Sequence, residues 1–193
     1  LRFVHIAGTN GKGSVLAYIS TILKEAGYRV GRYISPTIFD YRERIQVNEE
    51  YISREGVARL AGRIQEACCR MTEEGFSHPT TFEVETAMAF LWFREMHCDV
   101  VVLECGMGGL TDATNVVKTT LVSVFSEIGL DHMGFLGNTI EEIAQVKAGI
   151  IKPGAAAVSA VQRPEARKDL ENVCREKGAE IQELRKEEVQ NIK

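Results

Sequence analysis

The chain has 193 residues, with 23 Lys+Arg against 27 Asp+Glu and a formal charge of −4; at about 150 residues per domain it has the length of one domain or slightly more. A hydrophobic fraction of 45% beside 26% charged residues excludes wholesale disorder, and the slight acidity argues against a nucleic-acid footprint, which shows as a basic domain. No apolar run approaches the roughly 20 residues that cross a bilayer, no signal-peptide pattern opens the chain, and five cysteines without a C-x-x-C pair point to a reduced, cytoplasmic protein in which they act as small buried hydrophobes.

Residues 3–7 (FVHIA) read as a short buried strand. A strand that starts so early suggests that the natural chain begins further upstream. A glycine-rich stretch, residues 8–14, leads into a helix from Val15, with Ile19, Ile22 and Leu23 on one face, which Gly27 ends. Residues 28–35 form a second strand, broken by Ser35-Pro36, and residues 44–47 alternate like a small edge strand. Two helices follow: 53–72, amphipathic with Cys68 and Cys69 in its packing, and 82–96, capped by Thr81 and apolar on most sides. The β-branched run 99–104 (DVVVLE) marks a central parallel strand, and 121–125 another. The helix 139–151 opens on a Thr139/Glu142 capping box, and Pro153-Gly154 stops it. A strand at 155–161, a solvated helix at 164–177 and the start of a strand at 179–184 complete the pattern. Strands alternating with helices predict an α/β fold with a parallel sheet and right-handed crossovers.

Residues 8–14 read Gly-Thr-Asn-Gly-Lys-Gly-Ser between a strand and a helix. Glycines let main-chain N–H groups curl around phosphate oxygens, and the helix that follows directs its positive end at the same anion. Lys12 supplies a charge to the β/γ-phosphates, and Ser14 offers a hydroxyl to phosphate or Mg²⁺. The spacing departs from the usual phosphate loop, since Gly8 stands too close to Gly11-Lys12 and Gly13 precedes Ser14. The loop still predicts a P-loop NTPase-like sheet that binds a nucleoside triphosphate through Thr9, Asn10, Gly11, Lys12, Gly13 and Ser14.

Phosphoryl transfer needs Mg²⁺, with oxygen ligands at the carboxyl ends of parallel strands. Ser35, Glu104 and His132 stand at or just beyond such ends. Glu104 has the strongest physical case, because a carboxylate closing an apolar strand is costly to bury without a cation. From the residues alone Ser35 reads first as a turn residue before Pro36, and His132 more readily as a hydrogen-bonded surface histidine than as a Mg²⁺ ligand. Lys147, on the 139–151 helix, is either a snorkelling surface lysine or a functional one. His5, His78 and His97 read as structural.

Five ordered blocks then carry a resemblance: VHIAGTNGKGSV; YISP with RERIQVN; TTFEVETAMAF; LECGMGGLTDATN; and EIGLDHMGFLGNTIEEIAQVKAGIIKPG. Together they resemble the folylpolyglutamate synthase/dihydrofolate synthase branch of the Mur ligase family. The resemblance implies the Mur ligase central-domain type of fold and an ATP-dependent amide ligase. There ATP phosphorylates a carboxylate of folate or dihydropteroate, and L-glutamate displaces the phosphate. It also implies Mg²⁺, in two ions, held by Ser35, Glu104 and His132; catalytic roles for Lys12, Lys147 and His132; and Lys147 carbamylated on Nζ. Pterin contacts fall to Thr81, Phe82 and Glu83 and to Thr111, Asp112 and Ala113, and residues 36–48 match a mobile loop. Leu110 stands where the family has arginine. Members are roughly twice this length, so residues 1–193 are expected to be the N-terminal ATP-binding domain, truncated, without a C-terminal Rossmann-like domain. A monomer with small-molecule substrates and no nucleic-acid or membrane partner is expected. Another Mur-type ligase (peptide-adding or cyanophycin) or a non-ligase P-loop NTPase module is the alternative.

Overall fold

The computed structural model describes residues 1–131 and 134–184. The centre of the fold is β1 (Phe3–Ala7) beside β5 (Val100–Glu104), both buried at every residue, as apolar runs covered on two faces require. Outward from β5 lie β2 (Val30–Tyr33), β3 (Ile45–Val47) and β4 (Glu50–Tyr51). Outward from β1 lie β6 (Thr120–Phe125), β7 (Ala156–Ser159) and β8 (Glu180–Glu183). The eight strands form one sheet in the order β4-β3-β2-β5-β1-β6-β7-β8. It is parallel from β2 to β8, but β3 pairs antiparallel with both β2 and β4. The parallel sheet expected from the sequence is thus a mixed one, closed on one side by a hairpin whose outer strand, β4, is only two residues long and too short for its pattern to show.

One helix, α1 (Lys12–Glu25), covers one face, packing Leu16 on Val4, Ile6, Val30, Val100 and Val102. The other face carries four. There α2 (Arg54–Glu73) and α3 (Thr81–Glu95) pack on Tyr33, Val101 and Leu103, while α4 (Ile140–Ala148) and α5 (Pro164–Lys177) pack on Ala7, Phe125 and Ala157. No helix among the described residues is long and apolar enough to cross a membrane.

Local chemistry corrects several expected boundaries. Thr80, not Thr81, caps α3, because its hydroxyl accepts from Glu83 N–H while the Glu83 carboxylate returns to Thr80 N–H. The box at Thr139 is only half made: Thr139 Oγ1 accepts from Glu142 N–H, but the Glu142 carboxylate takes Asn138 N–H at 2.6 Å. That helix ends at Ala148, with Gly149 as its cap, before Pro153 is reached. Cys69 is exposed on α2, unlike the other four thiols, which are buried and free.

Register places the functional edge. Ile6 pairs with Glu104 and Ala7 with Phe125, so the chain leaves β1, β5 and β6 at one level. From β1 it runs through α1 to β2, and from β6 through α4 to β7, on opposite sides. That divergence opens a crevice at the carboxyl ends of the strands, where α/β sheets bind ligands.

Candidate active site

The chain leaves β1 at Gly8, whose φ of 151° lies where only glycine settles without strain. A Cβ there would stand 1.9 Å from Ser126 Oγ, so the loop lies against the end of β6 because residue 8 has no side chain. Gly11, at φ 82°, caps α1 without a side-chain hydrogen bond. The first N–H groups of α1 are therefore open to an anion at the positive end of the helix. Asn10, Gly11, Gly13 and Ser14 are exposed around that opening. Thr9 is engaged elsewhere: its hydroxyl donates to Gly129 O (3.1 Å) and accepts from Gly129 N–H (3.0 Å), tying the loop to the segment after β6.

Two lysines converge on one oxygen. Lys12 Nζ folds back on its own loop, donating to Gly8 O at 3.2 Å and Thr9 O at 3.3 Å. Lys147 reaches the same Gly8 O from α4, at 2.9 Å. Its residue is 2% exposed, and burial, then the charge of Lys12, bring its pKa down from 10.5 to about 8. Lys147 therefore does not snorkel: its amine is buried against the glycine-rich loop.

Glu104, 5% exposed, closes β5 beneath the first turn of α1. Its Oε2 accepts from Ser35 N–H at 3.4 Å, and a Cβ on Gly13 would lie 3.9 Å from it. Burial raises its pKa, against the pull of Lys12, the Ser35 N–H and Arg32. Ser35 and Glu104 are thus brought together; His132 lies outside the described residues. Among the described residues no three His, Cys, Asp or Glu side chains cluster as a ready-made metal cage. A buried carboxylate with a hydroxyl residue beside it fits Mg²⁺, which keeps water and phosphate in its shell rather than taking an all-protein cage.

Beside Ser35 opens a cleft of about 650 Å³ lined by Arg44, Phe82, Glu83, Gly106, Thr111, Asp112 and Ala113 among others. The Phe82 ring rests on Gly106, where a Cβ would come within 2.6 Å of it. Both acids in the lining are committed to their own loops. Glu83 accepts from Thr80 N–H (2.7 Å) and Oγ1 (2.8 Å); Asp112 accepts from Met107 N–H (2.8 Å), Thr114 N–H (2.9 Å) and Thr114 Oγ1. They shape the cleft more than they charge it. Thr81 is exposed and outside the lining. Beneath the floor, His5 Nε2 lies 2.9 Å from Thr114 Oγ1 and 3.1 Å from Cys105 Sγ. Burial, then the charge of Lys152, lower its pKa to about 3, so it is neutral and structural, as its sequence context suggested. A larger groove, about 1180 Å³, opens between α2 and α3 at the opposite edge of the sheet, near Leu1 and Thr119.

Residues 6–188 match the Mur ligase middle domain. The chain belongs to the Mur ligase family. Over 185 residues it is 46% identical to the dihydrofolate synthase/folylpolyglutamate synthase of Bacillus subtilis, covering 95% of this chain and 43% of that protein. A solved structure of Thermotoga maritima folylpolyglutamate synthase superposes with a TM-score of 0.86 at 44% identity, over 94% of this chain and 41% of that one. An FPGS–AMPPCP–folate complex superposes at 0.90 and 38% identity, over 94% and 44%. The chain therefore spans less than half the length of these relatives.

Three features of this Mur ligase middle domain escape sequence reasoning. Ser126 gives no motif, yet it fixes residue 8 as glycine. The Thr9 side chain looks like a phosphate ligand but is a loop tie. Arg44 stands in a short polar run without a motif of its own, and its partner Glu85, 41 positions away, carries no local signal.

Proposed function

We propose that this chain is the N-terminal, nucleotide-binding part of a longer monomeric, cytoplasmic ligase that joins L-glutamate to dihydropteroate or folate at the expense of ATP, a C-terminal Rossmann-like domain completing the site. The observation that carries this reading is a single sheet edge holding an open phosphate loop, two lysines on one loop carbonyl, a buried carboxylate and an aromatic-floored cleft. Relatives named for this activity and a neighbour solved with AMPPCP and folate support it. Four buried free thiols suit a reducing compartment.

In the proposed reaction the acceptor carboxylate attacks the γ-phosphorus of ATP, and ADP leaves. The amine of glutamate then attacks the acyl phosphate carbon, expelling phosphate and leaving an amide. The chain contributes positioning and charge. The N–H groups of residues 11–14 cradle the phosphates, with Asn10 and Ser14 at the rim. Lys12 turns from the loop carbonyls to the transferring group, where it balances charge on the equatorial oxygens. Phe82, with Glu83 and residues 111–113, orients the ring of the acceptor. Ser35 and Glu104, with His132, would hold Mg²⁺, which when bound neutralises phosphate charge.

Lys147 is proposed as the site of a carbamate, formed as neutral Nζ attacks CO₂ and a proton leaves. With a pKa of about 8, roughly a quarter of the amine is neutral at pH 7.5, against about one part in a thousand for a free lysine. The carbamate would put an anion beside the Mg²⁺ ligands and favour a second ion.

The test is a ligase assay on the complete gene product with dihydropteroate and tetrahydrofolate side by side. ADP release that requires both glutamate and one of these acceptors is expected. ADP formation that needs neither would overturn the reading.

A further inference from the structure

The last carbonyls of a helix run short of intrahelical donors, and at the end of α4 the segment after β5 supplies two from outside. Leu110 N–H donates to Val146 O at 2.8 Å. Asn115 Nδ2 donates to Gly149 O at 3.3 Å and to Leu110 O at 3.0 Å, so one amide holds both segments. Lys152 Nζ closes on the other side of it, donating to Asn115 Oδ1 at 2.8 Å and Asn115 O at 2.9 Å. These partners fix which way the amide faces, because an ammonium only donates and a carbonyl only accepts. Two glycines let the segments meet backbone to backbone. A Cβ on Gly149 would stand 2.5 Å from Leu110 Cα, and one on Gly109 would stand 2.8 Å from Lys147 O. Lys147 lies within this joint, and its Nζ reaches Gly8 O at 2.9 Å. We infer that Asn115 is a positioning residue for Lys147, clasping the end of α4 to the segment after β5 so that the amine is held against the glycine-rich loop. This inference rests on the ligase reading above.

The length of the lysine side chain explains why a residue outside the site should matter. An ammonium on a flexible four-carbon stem is only as well placed as the backbone from which it hangs. Asn115, half-buried in the single 3-10 turn of residues 113–116, grips that backbone at Gly149 and braces it against Leu110. With the amide donors gone, the Leu110 N–H bond and the glycine contacts remain, so the fold should survive while the joint loosens. A residue that merely capped α4 would add stability and act independently of Lys147. A residue that acts through Lys147 loses its effect once that side chain is removed.

The test is a double-mutant cycle in the complete protein. Asn115→Asp keeps the oxygen that Lys152 binds but has no N–H for Leu110 O and Gly149 O. It should lower kcat about 10- to 100-fold, as expected of a misplacement of order 1 Å. In a Lys147→Ala background the same substitution should lower kcat no further. Asn115→Ala, which brings no anion to the two carbonyls, should give the same pattern. An unchanged kcat in the single variants, or equal fold losses with and without the Lys147 side chain, would overturn the assignment of Asn115 alone. Wild type that releases no ADP in response to glutamate and an acceptor would overturn the ligase reading, and this inference with it.

Discussion

Burial sets the protonation of Lys147. Its pKa is about 8 in the folded chain against 10.5 in water, so below pH 8 the ammonium opposes folding by about 3 kcal/mol. Between those values the unfolded chain binds more protons, and this contribution to stability rises with pH. Lys147→Met should therefore be more stable than wild type at pH 7, by that amount less the lost bond to Gly8 O, and the gain should shrink towards pH 10. Urea unfolding of both proteins in carbonate-free buffer at the two pH values measures it; a difference independent of pH would mean that the ammonium is not desolvated. On the proposed reading Lys12 serves the reaction rather than the fold. Lys12→Ala in the complete protein should lower kcat by about 10²–10³-fold with little change in melting temperature, and near-normal turnover would remove it from the transition state.

Between elements, the contact that decides the site is the one between the phosphate loop and the end of β6. Gly8→Ala would drive its Cβ into Ser126 Oγ at 1.9 Å, with φ at +151°. It should cost about 1–3 kcal/mol of stability and abolish AMPPCP binding by calorimetry. Adding Ser126→Ala removes the worst contact but leaves residue 126 Cβ and C at 3.0 and 3.2 Å and the backbone strain, so binding should return only in part; full recovery would mean that the remaining crowding and strain at residue 8 are negligible. Much of this layer was legible in the sequence. The runs FVHIA and VVVLE announced buried central strands, and GTNGKGS announced an anion loop, because both signals are local and chemically narrow. What stayed hidden depends on contacts between distant positions. The hairpin strand β4 has two residues and no period of its own. Arg44 and Glu85 meet only because β3 and α3 pack on the same side of the sheet. Phe82 is marked in the sequence by the resemblance alone, because the glycine that lets its ring pack there, Gly106, lies 24 positions away.

At the scale of the molecule, the glycine-rich loop and the cleft beside Phe82 share one edge, yet the chain spans only 43% of its Bacillus subtilis relative. The isolated 193-residue chain is expected to ligate far more slowly than the complete gene product in a side-by-side assay. Full turnover by the short chain would place every glutamate contact within these residues. The position of β1 has a consequence of another kind. It is paired along its length by β5 on one flank and β6 on the other, so its amide protons reach solvent only when the whole domain comes apart. The loop proposed to hold phosphate is the direct continuation of this strand. A bound triphosphate should therefore slow deuterium uptake at Phe3–Ala7 by the factor through which it lowers the globally unfolded population, a record of occupancy written in a strand at the buried centre of the sheet.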